Sequence, residues 1–247
     1  MPLRVIDLGS ASATQSQAAA YVIGDRMAPG GPPAVVLADP LEPFLSVGAN
    51  QNIERDIDLS FCRERGITVV RRWLGGSAIY IDPEQLIFHV IVPARRAHWP
   101  APRMLATLAA AVVDTHHDLG IAACLRPPGD IAVGGRKIGG TAGAEIGGSV
   151  VVGGTFLFDF DAVIMARCLK LPSEPFRAKV ARMLERGMTT MRDELGAPPD
   201  RAMVKAHLVA NLARCLDAEP QEDRMSDEES AAIAIAAERL EDAARRD

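Results

Sequence analysis

Lys137 stands in the most glycine-rich stretch of the chain, GGRKIGGTAG at residues 134–143. The sequence contains 27 lysines and arginines, of which only four are lysines, so arginine is its ordinary surface cation. A lysine ammonium is compact and mobile, whereas a guanidinium is a rigid planar fork. Glycines in addition let a ligand approach the backbone closely. The pattern predicts a lysine that neutralises negative charge on a ligand; a solvated lysine in a turn is the alternative interpretation.

A second candidate site is the segment VVRRWLGGSAIYIDPEQL, which begins at Val69. Arg71 and Arg72 end a predicted strand, and Gly75 and Gly76 then turn the chain. Guanidinium groups and the backbone N–H groups of a tight turn both bind phosphate or carboxylate oxygens. The segment therefore indicates an anion-binding loop or, as the alternative, an ordinary β-hairpin.

Cysteine and histidine spacings do not predict a metal site or a disulfide framework. The four cysteines include no CxxC pair, and the five histidines include no HExxH motif. We predict no catalytic histidine among His89, His98, His116, His117 and His207. Cys124, thirteen residues before Lys137 in the predicted loop CLRPPGD, is a candidate nucleophile, because a nearby ammonium stabilises a thiolate that can then be acylated. The alternative is a small buried side chain.

Several common functions are excluded by missing motifs and by charge. The chain has no GxxxxGK[ST] phosphate loop, no GxGxxG dinucleotide motif and no GxSxG serine elbow. Its formal net charge of -5 gives no electrostatic footprint for nucleic acid or for an anionic membrane surface. Neither a signal peptide nor an apolar run long enough to span a membrane is present. We expect a cytoplasmic protein.

The elements that would position these residues alternate unevenly between strands and helices. Runs rich in branched and aromatic residues predict strands; they begin at Val35, Phe44, Ile67, Ala78 and Leu86. Apolar periodicity predicts helices over residues 11–26, 56–66 and 102–119. From residue 130 to 160, glycine pairs separate short strands, which predicts antiparallel hairpins with turns at those pairs.

After Asp161 the pattern becomes helical. A polar, flexible linker is expected at residues 218–224, and a last helix should follow the capping box of Ser226 and Glu229. Strands that dominate the first part of a chain and helices that dominate the last are typical of an α+β fold.

Four blocks of the sequence, in order, resemble the lipoate-protein ligases and octanoyltransferases, which share the biotin/lipoate protein ligase catalytic domain. The blocks run from about Arg4 to Asp161 and are RVIDLG with VVLAD, FLSVGANQN, ITVVRRWLGGSAIYID, and GDIAVGGRKIGGTAG with GGTFLFDFD. The resemblance implies a mixed, largely antiparallel β-sheet with flanking helices. It also implies a catalytic domain over residues 1–187 and a short helical C-terminal region over residues 188–247 that packs on the core.

The resemblance further implies that an acyl-adenylate lies between the two glycine-rich segments. Lys137 would be the catalytic residue, since an ammonium can stabilise the charge that develops on the phosphate and carbonyl oxygens. The other residues implied in binding are Arg71, Arg72, Gly75, Gly76, Ser77, Asp82, Asp130, Gly139 and Thr141. ATP and lipoate would be substrates, and Mg2+ would accompany the departing pyrophosphate without a cluster of protein ligands.

The implied activity is ATP-dependent activation of lipoate, or of a similar medium-chain acid, and its transfer to a lysine of a lipoyl carrier. The carrier would be a glycine-cleavage H-type protein or the lipoyl domain of an acyltransferase. One alternative is an octanoyltransferase in which Cys124 holds the acyl group as a thioester. Another is a catalytically silent lipoyl- or adenylate-binding protein, because the pocket departs from the usual family pattern at Leu74, Ser77, Ile81 and Gly153, the last of which often is a histidine.

Overall fold

Runs of buried aliphatic residues form the strands of a large central sheet in the computed structural model, which describes residues 1–94 and 101–246. Within that part of the chain the main sheet has eight strands. From edge to edge they are β11 (Glu219–Glu222), β1 (Pro2–Ala11), β2 (Ala34–Pro40), β6 (Gln85–Pro93), β10 (Ser149–Leu157), β9 (Arg136–Ile146), β8 (Asp130–Val133) and β7 (Cys124–Arg126). β1 runs parallel to β11 and β2, and the other neighbours are antiparallel. The predicted mixed, largely antiparallel sheet is confirmed.

A second, three-stranded sheet carries the predicted anion-binding segment. It consists of β4 (Thr68–Arg71), β3 (Phe44–Val47) and β5 (Ile79–Ile81), with β3 in the middle, parallel to β4 and antiparallel to β5. Phe44, Val70 and Ile81 of this sheet pack with Ile87 of β6 in one apolar cluster. That cluster joins the small sheet to the main one.

Helices cover both faces of the main sheet. They are α1 (Ala13–Asp25), α2 (Ile53–Asp56), α3 (Leu59–Glu64), α4 (Ala101–Asp118), α5 (Ala162–Cys168), α6 (Glu174–Gly187), α7 (Met191–Leu195), α8 (Arg201–Leu216) and α9 (Asp227–Arg246). One face, here the α4 face, packs on α4 and α8. The other, here the α1 face, packs on α1 and α9. The α+β fold is confirmed. None of the described helices is both long and apolar enough to cross a bilayer.

Local signals in the sequence set where the helices begin. The hydroxyl of Ser12 accepts a hydrogen bond from the backbone N–H of Gln15, and the side-chain oxygen of Gln15 accepts one from the N–H of Ser12. This capping box starts α1. Ser226 and Glu229 form the expected second box in front of α9. Such boxes satisfy N–H groups that the first helical turn leaves without partners. The predicted helix over 56–66 is wrong in one respect, because the chain is extended at Ile57 and separates α2 from α3.

The expected flexible linker at residues 218–224 is wrong. Residues 219–222 form β11, the edge strand beside β1, and the N–H of Asp223 donates to the carbonyl of Val5. Arg4 then binds the carboxylates of Asp223 and Glu229 at 2.6 and 3.0 Å. An edge strand pairs through its backbone and leaves its side chains in solvent, so a polar composition does not reveal it. The C-terminal region therefore contributes a strand to the main sheet as well as helices.

The predicted hairpins over residues 130–160 are confirmed, but two of the four glycine pairs are not turns. Gly134 and Gly135 join β8 to β9, and Gly147 and Gly148 join β9 to β10. The other two pairs, at residues 139–140 and 153–154, lie inside β9 and the buried strand β10. Glycine inside a strand often marks a place where another group approaches the backbone closely. At residue 153 that group is the side chain of His89.

Candidate functional site

Lys137 is the second residue of β9, directly after the turn at Gly134 and Gly135. Both glycines have positive φ, 56° and 84°, a conformation that favours glycine. The ammonium Nζ lies 2.6 Å from Oδ1 of Asp130 on the neighbouring strand β8. A Cβ at Gly140 would lie 3.2 Å from Nζ, so the absence of a side chain there leaves room for the ammonium above the strand.

Asp130 is the counter-ion of Lys137. Its carboxylate also accepts a 2.9 Å hydrogen bond from Nη2 of Arg126. Burial raises the pKa of this carboxyl group, but the hydrogen bonds from Lys137 and Arg126 outweigh burial, so the pKa lies below its usual value. The side chains of Lys137 and Asp130 are 33% and 34% exposed, so a ligand can reach the ammonium.

The backbone of Lys137 is held by the C-terminal part of the chain. Its carbonyl accepts a 2.9 Å hydrogen bond from the N–H of the buried Thr189, and Lys137 forms a parallel bridge with Met188. The adjacent Arg136 pairs with Glu194 of α7 at 2.8 Å. The segment after α6 therefore fixes the strand that carries the lysine.

Arg72 is buried and holds together residues 72–77, here called the glycine loop. Its Nη2 donates to the carbonyls of Gly75 and Ser77 at 2.7 and 2.8 Å, and Nε donates to Gly75 at 3.2 Å. Nη1 donates to the carbonyl and hydroxyl of Ser46. Burial lowers the pKa of Arg72 to about 10, which leaves it charged at neutral pH. All its partners among the described residues are neutral, so the site holds a buried cation that an anion would stabilise.

Arg71 holds the loop that precedes α2. Its Nη1 donates to the carbonyls of Ala49 and Gln51 at 3.3 and 2.6 Å. In the same loop, Gly48 faces the carbonyl of Gly76, which lies where a Cβ at residue 48 would be. Gly76 itself has φ of 93°, which favours glycine. The two loops are thus in backbone contact, and sequence reasoning did not single out Gly48 as part of the site.

The ammonium of Lys137 lies on the α1 face of the main sheet. It lies beside Gly140 of β9, which pairs with Thr155 of β10. The next residue pair along the same face is Ala142 with Gly153. Side chains two residues apart on a strand point to the same face. Ala142 packs into the apolar cluster beneath α1 and α9, which identifies the face.

The glycine loop covers the α1 face beside Gly153. Cδ1 of Leu74 lies 2.8 Å from the position of a Cβ at residue 153. The neighbouring Trp73 stacks on Tyr21 of α1, with ring centroids 4.2 Å apart and an angle of 17° between the rings. The loop is therefore held between α1 and β10, next to the pair of Gly140 and Thr155, beside which the ammonium lies. The structure brings the two predicted glycine-rich segments together on one face.

Other predicted residues have supporting positions. The N–H and hydroxyl of Thr141 donate to the carbonyl of Gly129 at 2.7 and 3.3 Å, and this contact fastens the turn before β8 to β9. Gly139 is buried on β9 opposite Phe156, on the α4 face. Ser77 is exposed, and its carbonyl accepts from the guanidinium described above.

Asp82 lies apart from the other predicted residues. It follows β5, and Oδ1 accepts a hydrogen bond from the N–H of Glu84 at 2.9 Å. Burial raises the pKa of Asp82, and the nearby charges of Glu84, Asp159 and Asp161 raise it further. Since β5 leads away from the glycine loop, the structure places Asp82 at the opposite end of the small sheet.

Cys124 lies in strand β7, not in the expected loop, and its thiol is free and exposed. It pairs with Ala132, which pairs in turn with Lys137, so the three residues lie in one row across neighbouring strands. With strands about 5 Å apart, the backbones of Cys124 and Lys137 are separated by about 10 Å. A whole strand thus separates the candidate nucleophile from the lysine.

His89 is a residue of the site that sequence reasoning missed. It is 4% exposed on β6, directly opposite Gly153 on β10. Its Cδ2 and Nε2 lie 2.5 and 3.0 Å from the position of a Cβ at residue 153, so the ring occupies the space that the glycine leaves. No local motif accompanies His89, and the signal would have been the strand pairing itself. His98 lies outside the described residues.

The described residues contain no group of three or more His, Cys, Asp or Glu side chains arranged to hold a metal ion. A Mg2+ that accompanies ATP would then keep phosphate oxygens and water as most of its ligands, which is its usual preference.

Comparison with known proteins identifies the family of the chain and several similar proteins. Residues 13–213 match the family described as the lipoyl protein ligase A/B catalytic domain. The chain is 28% identical to lipoate-protein ligase A subunit 1 of Thermoplasma acidophilum over 196 residues, which cover 74% of this chain and 72% of the relative. Identity is also 28% with octanoyltransferase LipM of Moorella thermoacetica, covering 70% of each chain. A match to lipoate-protein ligase LplJ of Bacillus subtilis, again at 28%, spans 69% of this chain but only about half, 51%, of that protein.

Solved structures agree on the fold. A bi-partite lipoate protein ligase from Thermoplasma acidophilum, described with its E2 lipoyl domain, superposes with a TM-score of 0.88 at 24% identity, covering 96% of this chain and 92% of that one. A lipoate-protein ligase A bound with ATP gives 0.83 at 22% identity, covering 96% and 95%. The family match extends over most of the sequence and includes both glycine-rich segments. The chain therefore belongs to the lipoyl protein ligase A/B catalytic domain family.

Proposed function

We propose that the chain is a lipoate-protein ligase, which activates lipoate or a similar medium-chain acid with ATP and transfers the acyl group to a lysine of a lipoyl domain. One observation carries the proposal. The accessible ammonium of Lys137 and the glycine loop, which the buried guanidinium of Arg72 holds together, lie on one face of the sheet. A cation beside a small-residue surface suits an acyl-adenylate, whose charge lies on its phosphate.

The first step would form the adenylate. A carboxylate oxygen of the acid attacks the α-phosphorus of ATP, the new P–O bond forms, and the bond to pyrophosphate breaks. Negative charge builds on the phosphate oxygens, and the ammonium of Lys137 would stabilise it at close range. Mg2+ bound to ATP would neutralise the departing pyrophosphate. Asp130 would position the ammonium between turnovers, through the 2.6 Å contact that it makes in the free protein.

The second step would transfer the acyl group. The neutral amine of the carrier lysine attacks the acyl carbonyl carbon, a C–N bond forms, the C–O bond to the phosphate of AMP breaks, and the amine nitrogen loses a proton. Charge now develops on the carbonyl oxygen, which the same mobile ammonium can reach. Similar proteins support these substrates, since one is described with bound ATP, one with bound lipoic acid and one with an E2 lipoyl domain.

The proposal is tested by ATP–pyrophosphate exchange and by transfer. We expect exchange that depends on lipoate or octanoate, and transfer from chemically prepared lipoyl-adenylate to a lipoyl domain, followed by intact mass. Silence in both assays would refute a ligase. Tight binding of the adenylate without exchange or transfer would instead assign a binding protein.

An octanoyltransferase is the second candidate, because the exposed thiol of Cys124 lies in one row with Lys137 and a similar protein is named octanoyltransferase LipM. In that reaction the thiolate attacks an octanoyl thioester, a new thioester forms on Cys124, and the donor thiol leaves with a proton. Incubation with octanoyl-loaded acyl carrier protein, followed by intact mass, separates the two. An octanoyl adduct that disappears in Cys124→Ala supports the transferase, and its absence in the wild type rejects it.

A further inference from the structure

The ring of His89 is packed into the sheet surface at the candidate acyl site. Gly153 lies opposite His89, and the ring lies over that glycine, with Cδ2 2.5 Å from the position of a Cβ. Leu74 of the glycine loop reaches the same point from the other side, at 2.8 Å. A side chain at residue 153 is therefore replaced by an imidazole that comes from the neighbouring strand.

The ring nitrogens of His89 have no hydrogen-bond partner among the described residues. In that part of the chain, the solvent-inaccessible polar side-chain atoms that lack a hydrogen-bond partner are Nε2 of His116 and Oδ1 of Asn211. Since the nitrogens of His89 are not among these, they keep access to an opening although the residue is only 4% exposed. Buried polar groups almost always find a partner. A ring in this position is therefore available to a ligand.

His89 is uncharged in the folded protein. Burial, together with the nearby charge of Arg72, lowers the pKa of His89 to about 4. At neutral pH the ring therefore has one N–H donor and one bare nitrogen acceptor. A neutral imidazole does not compete with Lys137 for the phosphate, and it suits a neutral part of the substrate.

The position of the ring relative to Lys137 indicates which part of the substrate it meets. The ammonium lies beside Gly140, whose partner is Thr155, and the ring lies over Gly153, two residues further along β10. Diagonal neighbours of this kind are about 7–8 Å apart. With the carbonyl at Lys137, His89 would contact the distal part of a medium-chain acyl group.

We propose that His89 is a specificity-determining residue, which contacts the distal end of the acyl chain and favours a chain that carries sulfur there. The inference rests on the proposed function. Lipoate carries a dithiolane ring at the end far from its carboxyl group, whereas octanoate has only methylene and methyl groups. Sulfur accepts a weak hydrogen bond and packs favourably on an aromatic ring. A methylene chain would leave the N–H of His89 without a partner, and such polar mismatches discriminate between substrates.

The test measures binding of two non-reactive analogues, lipoyl and octanoyl sulfamoyl-adenosine, by isothermal titration. We expect the wild-type protein to bind the lipoyl analogue more tightly. In His89→Phe, which keeps the ring but removes both nitrogens, the ratio of the two dissociation constants should shift toward octanoyl by about three- to tenfold, as expected for one neutral hydrogen bond. The octanoyl analogue should bind the variant at least as tightly as it binds the wild type.

Other outcomes distinguish failure of the proposed function from failure of the role of His89 alone. If the wild type binds neither analogue, the proposed function fails and the role of His89 falls with it. If it binds both and folded His89→Phe leaves the ratio unchanged, only the role of His89 is overturned. Should His89→Phe not fold, imidazole nitrogen shifts of the labelled wild type decide: they must move further on addition of the lipoyl analogue than of the octanoyl one, and equal shifts reject the proposal. Lys179→Ala, on the exposed side of α6, is the matched control.

Discussion

Nζ of Lys137 lies 2.6 Å from Oδ1 of Asp130, across the neighbouring strands β9 and β8. The pair is half-open to solvent, and the same carboxylate also binds Arg126. Because Asp130 keeps a second cationic partner, it remains neutralised in part when the ammonium moves to a ligand. The contact therefore holds the lysine in place without confining it, which is the property that two successive steps with charge on different oxygens require.

Lys137→Ala should reduce lipoate-dependent pyrophosphate exchange by roughly 100- to 1000-fold, the usual loss when one charge-stabilising donor is removed. Lys137→Arg should recover little of this, because a planar guanidinium does not fit the space that Gly140 leaves for an ammonium. The rate of exchange at saturating ATP is the measurement. Lys179→Ala should behave as the wild type. Near-normal exchange in Lys137→Ala would remove the lysine from the mechanism.

Gly48→Ala should disrupt the site through the contact between two loops. A Cβ at residue 48 would meet the backbone carbonyl of Gly76, which cannot move aside as a flexible side chain would. We expect loss of adenylate-analogue binding by tenfold or more, at an energetic cost of about 1–3 kcal/mol for overpacking. Gly187→Ala, where a Cβ meets nothing within 4 Å, is the matched control and should retain both binding and melting temperature. Unchanged binding in Gly48→Ala would show that the loops can separate without consequence.

Much of this site could be predicted from the sequence, because its chemistry is encoded locally. The single lysine in GGRKIGGTAG and the arginine pair before Gly75 and Gly76 are visible as short motifs. The strands that carry them are visible too, since LIFHVIV at β6 is a near-continuous apolar run of a strand covered on both faces. The role of Arg72 in holding the loop could not be predicted, because the same motif is equally typical of an arginine that binds an anion.

The features that the sequence did not predict depend on contacts between residues that are distant in the chain. His89 and Gly153 meet only because β6 and β10 pair in one particular register. Gly48 is restricted by Gly76 only after the two loops pack together, and β11 becomes a strand only because β1 offers it an edge. Local propensity carries no information about such pairings, so these features required the fold.

Arg72→Lys should destabilise the protein although it conserves the charge. The guanidinium donates to three carbonyls and one hydroxyl from residues of the glycine loop and of strand β3, whereas an ammonium has three donors and a different geometry. We expect a loss of about 2–4 kcal/mol in the free energy of unfolding, from two or more hydrogen bonds to a charged group. Urea denaturation measures it, with the exposed Arg182→Lys as control. A difference below about 0.5 kcal/mol, the range of ordinary surface changes, would contradict the role of the guanidinium in holding the loop.

Stability should fall as the pH drops from about 6.5 to 4, and His116 should account for part of the fall. Burial lowers the pKa of His116 to about 4, and burial with the charge of Arg72 does the same for His89. Below pH 6.5 the unfolded chain takes up protons at these positions while the folded chain does not, so each histidine removes stability until pH 4 is reached. Complete titration amounts to about 3 kcal/mol for each residue.

His116→Phe isolates the contribution of His116, because a phenyl ring keeps the packing against Phe156 and removes both nitrogens. The variant loses the 2.8 Å hydrogen bond to the carbonyl of Val112, so its stability at pH 7.5 need not rise. Its free energy of unfolding is measured in urea at intervals from pH 7.5 to 5. Of the decline that His89 and His116 together cause in the wild type, the variant should keep about half. Arg182→Lys, at an exposed position of α6, should keep the wild-type slope. A slope that is identical in His116→Phe and in the wild type would mean that His116 has the same pKa in the folded and unfolded states, because only then does it bind as many protons in both states at every pH.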